Sequence, residues 1–417
     1  MEALNPLFAL GGLALALACG RLLVGLLGVP VPAGGFVTLD GLRGIVAFCV
    51  FLHHGAIWFQ FTHEDKWITP PSNLYAHLGD GAVSCFFMIN GLLFYTKILD
   101  APHGRVDWAA LYLSRIFRLV PLYVFAMLCL FGLVGHASGW MLAESPDRIF
   151  ASVFRWLSFT VMGVPPINGV AMTPVMIGGV TWTLPYEWFF YLSLPVLALI
   201  SGGRVPLKYV VLGLISLVLF ICWRPAIYHL CSFSLGALTA LLVRVEGVRR
   251  FTRSPFAALL ALTAVVMSVV FYPGAHGIRP VLLYGVMFLI VAGGNHLFGL
   301  LSLPSARMLG EMSYSVYLLH GFVLYVGLDV VFGERAQGAQ PVEHWLMVYG
   351  LVPVLIALCA LTFHFIERPA VRLSGVLQRR LRATSGASNS DPDTLARLPS
   401  LVGSRPETMC SPTGSSR

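Results

Sequence analysis

Apolar segments long enough to cross a lipid bilayer recur along almost the whole chain. A spanning helix needs about 20 mainly apolar residues. Eleven segments reach or approach this length, at about residues 6–28, 38–61, 79–99, 113–135, 180–201, 207–223, 227–244, 256–272, 280–300, 309–332 and 345–366. Only 11% of all residues are charged, whereas a typical soluble domain has about 25%. The sequence therefore predicts an all-α, polytopic transmembrane helix bundle, and it excludes soluble enzymes, coiled coils and disordered scaffolds.

The basic residues predict how the spans are oriented. If the short segment 148–163 does not cross, one side of the membrane receives the Arg- and Lys-containing loops. The other side then receives the Pro- and Gly-rich or mixed-charge loops at 62–78, 136–179 and 333–344. Cytoplasmic loops carry an excess of Lys and Arg. We therefore expect an outer N-terminus, a cytoplasmic C-terminus and segment 148–163 on or in the outer face.

Two compositional features limit the possible partners. The net charge of +8 comes mostly from short loops and the last fifty residues, and no basic–aromatic patch predicts binding to nucleic acid. The eight cysteines show neither CxxC nor metal-ligand spacing, so no metal site is predicted. The C-terminal segment is rich in Ser, Pro, Gly and Thr, and residues 373–417 are expected to form a disordered cytoplasmic tail.

Ionisable residues inside spans are costly and usually mark function. The second span begins TLDGLRGIVAFCVFLHHG, with Asp40 and Arg43 at its cytoplasmic end and His54 deeper. Arg43 and His54 are eleven residues apart, about three helical turns or 16 Å, so they share one face of the helix. This spacing fits a polar channel through the protein. It also fits an Arg that snorkels to the interface and a His that is satisfied by a neighbouring helix.

Two further segments place charge at or inside a span. Arg115 and Arg118 are adjacent on one helix face at a cytoplasmic end, where they could hold a phosphate or simply set the topology. Glu187 lies inside a span between Trp182 and Trp188. A carboxylate there needs a partner such as Arg or His, or it stays protonated.

Polar residues in two other spans are weaker candidates. Asn90 and the glycine after it interrupt an apolar run, which suits either tight helix packing or the wall of a site. Ser313 and His320 are seven residues apart on one face, flanked by Tyr314 and Tyr317. Glu367, at the cytoplasmic end of the last span, could neutralise an arginine of another span or form a local ion pair. The candidate partners are Arg43, Arg115, Arg118, Arg368 and Arg372.

Six segments, in order, resemble the acyltransferase family 3 membrane proteins. They are LDGLRG with Arg43-x10-His54, FFMINGLLF, Arg115-x2-Arg118 before PLY, WTLPYEWFFY, LGEMSYSVYLLH and Glu367-x-Pro369. The resemblance implies a ten-helix acyltransferase core over about residues 36–372, with residues 1–35 as an extra N-terminal transmembrane helix. It also implies an integral membrane O-acyltransferase that acts mostly on sugar hydroxyls, in a bacterial inner membrane.

The resemblance also implies roles for particular residues. Arg115 and Arg118 would hold the phosphates of acyl-CoA, expected to be acetyl-CoA, with Arg43 beside them. His54 would be the general base, or would carry the acyl group transiently, with Glu187 or Asp40 compensating charge. The supporting residues would be Asn90, Trp182, Tyr314, Tyr317, His320 and Glu367. The acceptor would be a glycan, a glycolipid or a small hydroxylated molecule.

Two other classes of protein also place polar residues on interior helix faces. A membrane transporter would use an interior Arg/His/Glu pathway to move a solute. A non-catalytic partner subunit would keep the same residues without needing them. Dependence on acyl-CoA distinguishes both from an acyltransferase.

Overall fold

The computed structural model describes residues 2–27 and 37–384, which form helices and loops with no β-strand among them. This confirms the predicted all-α helix bundle. The α-helices are α1 Pro6–Leu27, α2 Val37–Glu64, α3 Asn73–Leu99, α4 Trp108–Ala137, α5 Pro146–Leu157, α6 Thr173–Met176, α7 Thr183–Ile200, α8 Leu207–Cys222, α9 Ile227–Leu242, α10 Glu246–Thr252, α11 Pro255–Phe271, α12 Ile278–Ala292, α13 Pro304–Glu311, α14 Ser313–Leu324, α15 Glu334–Gln337, α16 Pro341–Thr362 and α17 Arg368–Thr384.

Within these ranges, seven helices are long and apolar enough to cross a membrane. They are Pro6–Gly25, Val37–Glu64, Asn73–Leu99, Trp108–Ala137, Val180–Ile200, Ser313–Val331 and Pro341–Arg380. The helices α9 and α10 form a pair bent by 110°, and α8, α11 and α12 are shorter apolar helices. These helices overlap the eleven predicted segments, but in the described residues only seven, or eight if the bent pair is one span, are long enough to cross a membrane. The ninth segment ends earlier than expected, because α12 stops at Ala292 and Gly294 follows in a left-handed conformation with φ +104°.

The segment 148–163, which is predicted to lie on or in the outer face, overlaps the amphipathic helix α5. Its 12 residues rise by about 18 Å, too little to cross a hydrocarbon core of about 30 Å alone. Phe150 and Phe154 are exposed, whereas Trp156 is fully buried. The indole N–H of Trp156 donates to the carbonyl oxygen of Pro165 at 2.8 Å, and Tyr123 donates to the carbonyl oxygen of Trp156. One side of α5 is therefore attached to the bundle and its apolar phenylalanines face outwards.

The helix α2 is buried along most of its length, and its glycines explain how closely it packs. A Cβ on Gly44 would overlap the carbonyl oxygen of Ala306, and one on Gly310 would overlap that of Asp40. The backbones of α2 and α13 are thus in direct contact. A Cβ on Gly41 would likewise overlap the carbonyl oxygen of Leu301, just before α13. The side chain of Arg43 does not take part in these contacts and lines a cavity described below.

A second close crossing joins α3 and α9. A Cβ on Gly91 would overlap the carbonyl oxygen of Phe233, and one on Gly236 would overlap that of Met88. Only glycine permits this approach, because any larger residue would force the helices apart. Gly91 therefore serves packing, and its neighbour Asn90 turns towards a cavity described below.

The ends of the chain differ in part from the expectation. The helix α17 continues to Thr384, twelve residues into the segment 373–417 that was predicted to be disordered. Gln378 donates to the carbonyl oxygen of Ala110 at 3.2 Å and so ties α17 to α4. Residues 385–417 lie outside the described residues, as do residues 28–36 at the predicted boundary after the first helix. The helix α1 packs on α16, where the rings of Phe8 and Trp345 stack at 5.5 Å.

Candidate active site

A cavity of about 460 Å³ lies at the end of the bundle that holds the N-terminus of α2, here called the Arg43 end. It gathers seven of the residues selected from the sequence, which are Arg43, Asn90, Arg115, Arg118, Glu187, Tyr314 and Tyr317. The helix α17 completes the wall with Ser374 and Gln378. Helices far apart in sequence therefore bring three arginines to one cavity, which we call the arginine cavity.

Arg118 is the arginine that Glu367 approaches. Its Nη1 lies 3.8 Å from Oε2 of Glu367, whose side chain is fully buried. The hydroxyl of Ser315 donates to the other carboxylate oxygen of Glu367. Of the partners that the sequence left open, the structure therefore places Arg118 next to this carboxylate.

Arg115 and Arg43 have no such partner. No carboxylate oxygen lies within 4.0 Å of either guanidinium in residues 2–27 and 37–384. Arg115 lies over the ring of Phe94 at 5.1 Å and donates to the hydroxyl of Ser114 at 3.1 Å. Its Nε atom is buried without a hydrogen-bond partner. A buried guanidinium with an unused donor is suited to an anionic ligand.

Glu187 is held by a tyrosine rather than by a cation. The hydroxyl of Tyr191, one turn further along α7, donates to Oε2 of Glu187 at 2.8 Å. The same hydroxyl lies 3.4 Å from Oδ1 of Asn90 on α3. Tyr191 and Asn90 thus connect the carboxylate to the opposite wall of the arginine cavity.

His54 lies beyond the arginine cavity, next to a second buried histidine. Nδ1 of His54 is 3.1 Å from Nε2 of His320 and 2.9 Å from the carbonyl oxygen of Val50. Nδ1 of His320 is 3.0 Å from the carbonyl oxygen of Val316. Since a carbonyl oxygen only accepts, Nδ1 of His320 and Nδ1 of His54 each carry a hydrogen, and that of His54 is shared between the carbonyl oxygen of Val50 and Nε2 of His320. This assignment leaves Nε2 of His54 unprotonated, as a general base requires.

Tyr317 separates the arginine cavity from the histidine pair. It lines the cavity, and its ring centre is 6.3 Å from that of His320. Its hydroxyl donates to the carbonyl oxygen of Val180 at 2.9 Å and lies 2.9 Å from the hydroxyl of Thr183. The tyrosine is therefore fixed between the two parts of the site.

The opposite side of the histidine pair is closed by a loop and a tryptophan. Gly178 has φ +68°, and a Cβ placed on it would be 3.6 Å from the His54 ring. A Cβ on Gly321 would overlap the backbone of Ile177, so this loop rests directly on α14. The ring of Trp67 lies 6.1 Å from that of His54. Residues 177–179 and Trp67 thus shield His54 from the far end of the bundle.

Two of the selected residues lie elsewhere. Asp40 does not line the arginine cavity, and its backbone packs against α13. Trp182 is 37% exposed and packs on His229 at 5.0 Å. Several polar lining residues were not predicted from the sequence, namely Ser114, Thr183, Tyr191, Glu311, Ser374 and Gln378. Glu311 belongs to the LGEMSYSVYLLH segment, so the family resemblance could have pointed to it. In the parts of the chain that the structure describes, no group of three His, Cys, Asp or Glu side chains could hold a metal ion.

The fold and site define a polytopic helix bundle with a polar cavity and a buried histidine pair in its interior. The family model described as an acyltransferase domain matches residues 36–364, and the chain belongs to this family. Acyltransferase MdmB of Streptomyces mycarofaciens is 25% identical over 386 residues, 84% of this chain and 94% of the relative. O-acetyltransferase PaAT-1 of Phomopsis amygdali is 24% identical over 426 residues, 83% of this chain and 85% of the relative. No solved structure matches the chain.

Membership of this family makes the chain an enzyme, an O-acyltransferase. The transporter and partner-subunit hypotheses are therefore set aside. Together with the long apolar helices, the family also makes it a multi-pass membrane protein.

Proposed function

We propose that the protein transfers an acetyl group from cytoplasmic acetyl-CoA to a hydroxyl of a carbohydrate-containing acceptor, with His54 as general base. One observation carries the proposal. The arginine cavity and the His54–His320 pair follow each other along α2 and α14, with Tyr317 at their junction. The Phomopsis relative is named an O-acetyltransferase, which supports acetyl as the group transferred.

The arginine cavity would hold the phosphates of the donor. Arg115 offers an unpaired buried donor, Arg43 has no carboxylate partner, and Arg118 is only partly neutralised at 3.8 Å. Charge-assisted hydrogen bonds from arginine to phosphate are short and strong. The volume of about 460 Å³ is within the usual range of small-molecule sites, about 300–1,000 Å³.

The reactive end of the donor would then lie near His54. Arg43 and His54 are separated by about 16 Å along α2, a distance that an extended pantetheine arm can bridge. Tyr317 stands on this route, so its ring has to turn aside when the arm is in place. Glu187 lines the route and Asp40 does not, which favours Glu187 as the carboxylate that compensates charge.

The chemical step balances within this site. Nε2 of His54 takes the proton of the acceptor hydroxyl while the hydroxyl oxygen attacks the thioester carbonyl carbon. The C–O bond forms, the C–S bond breaks, and the leaving thiolate receives the proton from the His54 imidazolium. Nε2 of His320, which accepts from Nδ1–H of His54, stabilises that imidazolium. The acyl group passes directly to the acceptor.

The proposed location is a bacterial inner membrane, with the Arg43 end and the C-terminus in the cytoplasm. The exposed arginines of α17, Arg372, Arg379 and Arg380, support this orientation because positive charge stays on the cytoplasmic side.

Acetyl-CoA binding tests the donor assignment. We expect Arg115→Ala to weaken acetyl-CoA binding to the purified protein at least tenfold, since a charge-assisted contact contributes about 1.5–3 kcal/mol. Binding is measured by calorimetry in lipid nanodiscs, with Arg155→Ala on α5 as the control because it lies outside the arginine cavity. Equal affinities of the two variants would contradict the assignment.

The acceptor class is tested by mass spectrometry of surface glycans and lipids from cells with and without the protein. We expect one ester to be missing from the cells without the protein. Identical ester contents in the two would contradict the acceptor class.

A further inference from the structure

A second cavity, of about 520 Å³, lies at the other end of the bundle, where α2 ends at Glu64. Its wall consists of Thr69, Asp80 on α3 and the loop from Tyr272 to Pro280 between α11 and α12. The arginine cavity is lined by the same helix α3 from Val83 to Leu93, three to thirteen residues after Asp80. At the helical rise its near edge is about 5 Å from Asp80 along α3, and its far edge about 20 Å. The two cavities therefore follow each other along this helix.

The polar groups of the second cavity both donate and accept hydrogen bonds. Oδ2 of Asp80 lies 3.0 Å from Nδ1 of His276. The hydrogen bond and the negative charge of Asp80 raise the pKa of His276. Thr69, Tyr272 and Arg279 are the other polar residues of the lining.

This set of groups favours a neutral, polyhydroxylated ligand. The Asp80 carboxylate disfavours an anion, and Arg279 together with His276 disfavours a cation. A carboxylate accepts from two neighbouring hydroxyls at once, and imidazole and hydroxyl groups supply the matching donors and acceptors. Tyr272 is the aromatic residue of the lining, and aromatic rings suit the C–H side of such a molecule.

Neighbours of two lining residues lead from the second cavity towards the histidine pair. Gly79, just before Asp80, lies against His53, because a Cβ on Gly79 would be 2.6 Å from Cδ2 of that ring. Trp67, two residues before Thr69, has its ring 6.1 Å from that of His54. The two elements that carry Asp80 and Thr69 thus also contact the region of His54.

We propose that the second cavity binds the uncharged, polyhydroxylated part of the acceptor, with Asp80 and His276 as its hydrogen-bonding pair. The acceptor then reaches His54 from the end opposite to the donor, and the ring of Trp67, which shields His54 on this side, has to turn aside when the acceptor is in place. This inference rests on the proposed function only in naming the bound molecule as the acceptor. Binding at the second cavity can be measured without any acyl transfer.

The test uses the full-length protein in lipid nanodiscs without acetyl-CoA. Binding of methyl hexosides and methyl N-acetylhexosaminides is measured by saturation-transfer NMR. We expect the wild-type protein to bind at least one glycoside, and Asp80→Asn to weaken that binding about tenfold, as loss of a charged hydrogen bond predicts. Thr69→Val, an exposed position where misfolding is not expected, should weaken it by a smaller factor. Asp65→Asn is the matched control, because Asp65 is exposed outside the cavity and its φ of +54° suits asparagine.

Two results would overturn the inference. One is the absence of glycoside binding by the wild-type protein, and the other is equal binding by Asp80→Asn and Asp65→Asn. Acetyl-CoA affinity is measured on the same samples and should stay within about twofold in Asp80→Asn, because Asp80 does not line the arginine cavity. If the wild-type protein binds the glycoside through Asp80 but does not use acetyl-CoA, the proposed function fails and the second cavity stands as a binding site.

Discussion

At the scale of single residues, the tautomer of His54 decides whether it can act as a base. The carbonyl oxygen of Val316 fixes the hydrogen of His320 on Nδ1, and the carbonyl oxygen of Val50 together with Nε2 of His320 fixes the hydrogen of His54 on Nδ1. The base nitrogen is therefore set in advance by α2 and α14. Sequence spacing placed Arg43 and His54 on one face of α2 and allowed for a neighbouring helix that satisfies His54, but it did not identify His320 as that partner.

The two neighbouring arginines of α4 should differ in their effect on stability. Arg118→Ala leaves the buried carboxylate of Glu367 without its cation, which should lower the free energy of unfolding by about 3 kcal/mol. Arg115→Ala removes a contact with Phe94 of about 1 kcal/mol. Thermal unfolding in detergent measures both variants. Glu367→Gln combined with Arg118→Ala should recover most of the lost stability, because the buried charge is gone.

Two results would contradict the pairing of Arg118 with Glu367. One is that Arg115→Ala lowers the free energy of unfolding as much as Arg118→Ala does. The other is that the double variant is no more stable than Arg118→Ala alone.

At the scale of helices, glycines determine how closely the elements that form the site approach each other. The backbones of α3 and α9 touch at Gly91 and Gly236, and this contact sets the position of Asn90 in the arginine cavity. The backbones of α2 and α13 likewise touch at Gly44 and Gly310, and this contact sets the position of Arg43 in the arginine cavity. Sequence alone marks such glycines as candidates for packing but does not identify the partner helix.

A single added methyl group tests the α3–α9 crossing. Gly236→Ala should lower the free energy of unfolding by about 1–3 kcal/mol, because the new Cβ would overlap the carbonyl oxygen of Met88. Gly132→Ala on α4 is the matched control, since nothing lies within 4 Å of its Cβ position. There the change should be neutral or stabilising by about 0.5–1 kcal/mol. Equal melting temperatures of the two variants would contradict the close crossing.

The helices themselves could be predicted far better than their contacts. A run of apolar residues predicts a helix in each of the eleven segments, because a helix that lies in a membrane has to be apolar along its course. The wall formed by α17 could not be predicted in this way, since its exposed face is basic and its inner face holds Ser374 and Gln378 rather than an apolar stripe. The pairing of Arg118 with Glu367 joins residues 249 positions apart, and such a contact depends on how the helices pack.

At the scale of the whole molecule, one histidine pair lies between two cavities and lines neither of them. The arginine cavity suits a phosphate-bearing donor, and the Asp80–His276 cavity suits a neutral acceptor. Tyr317 and Trp67 stand on the two sides of His54 and His320. In the proposed orientation, donor and acceptor come from opposite faces of the membrane and react in its interior.

The central claim is that His54 is the base of the transfer, and one rate measurement tests it most directly. Proteoliposomes with equal amounts of folded protein receive acetyl-labelled acetyl-CoA and a membrane extract as the source of acceptor. His54→Ala should reduce acceptor acetylation by about 10²–10⁴-fold, the usual contribution of a general base. His229→Gln, a change at a buried histidine that lines neither cavity, should leave the rate within about threefold. Acetylation by His54→Ala at the wild-type rate would contradict the account.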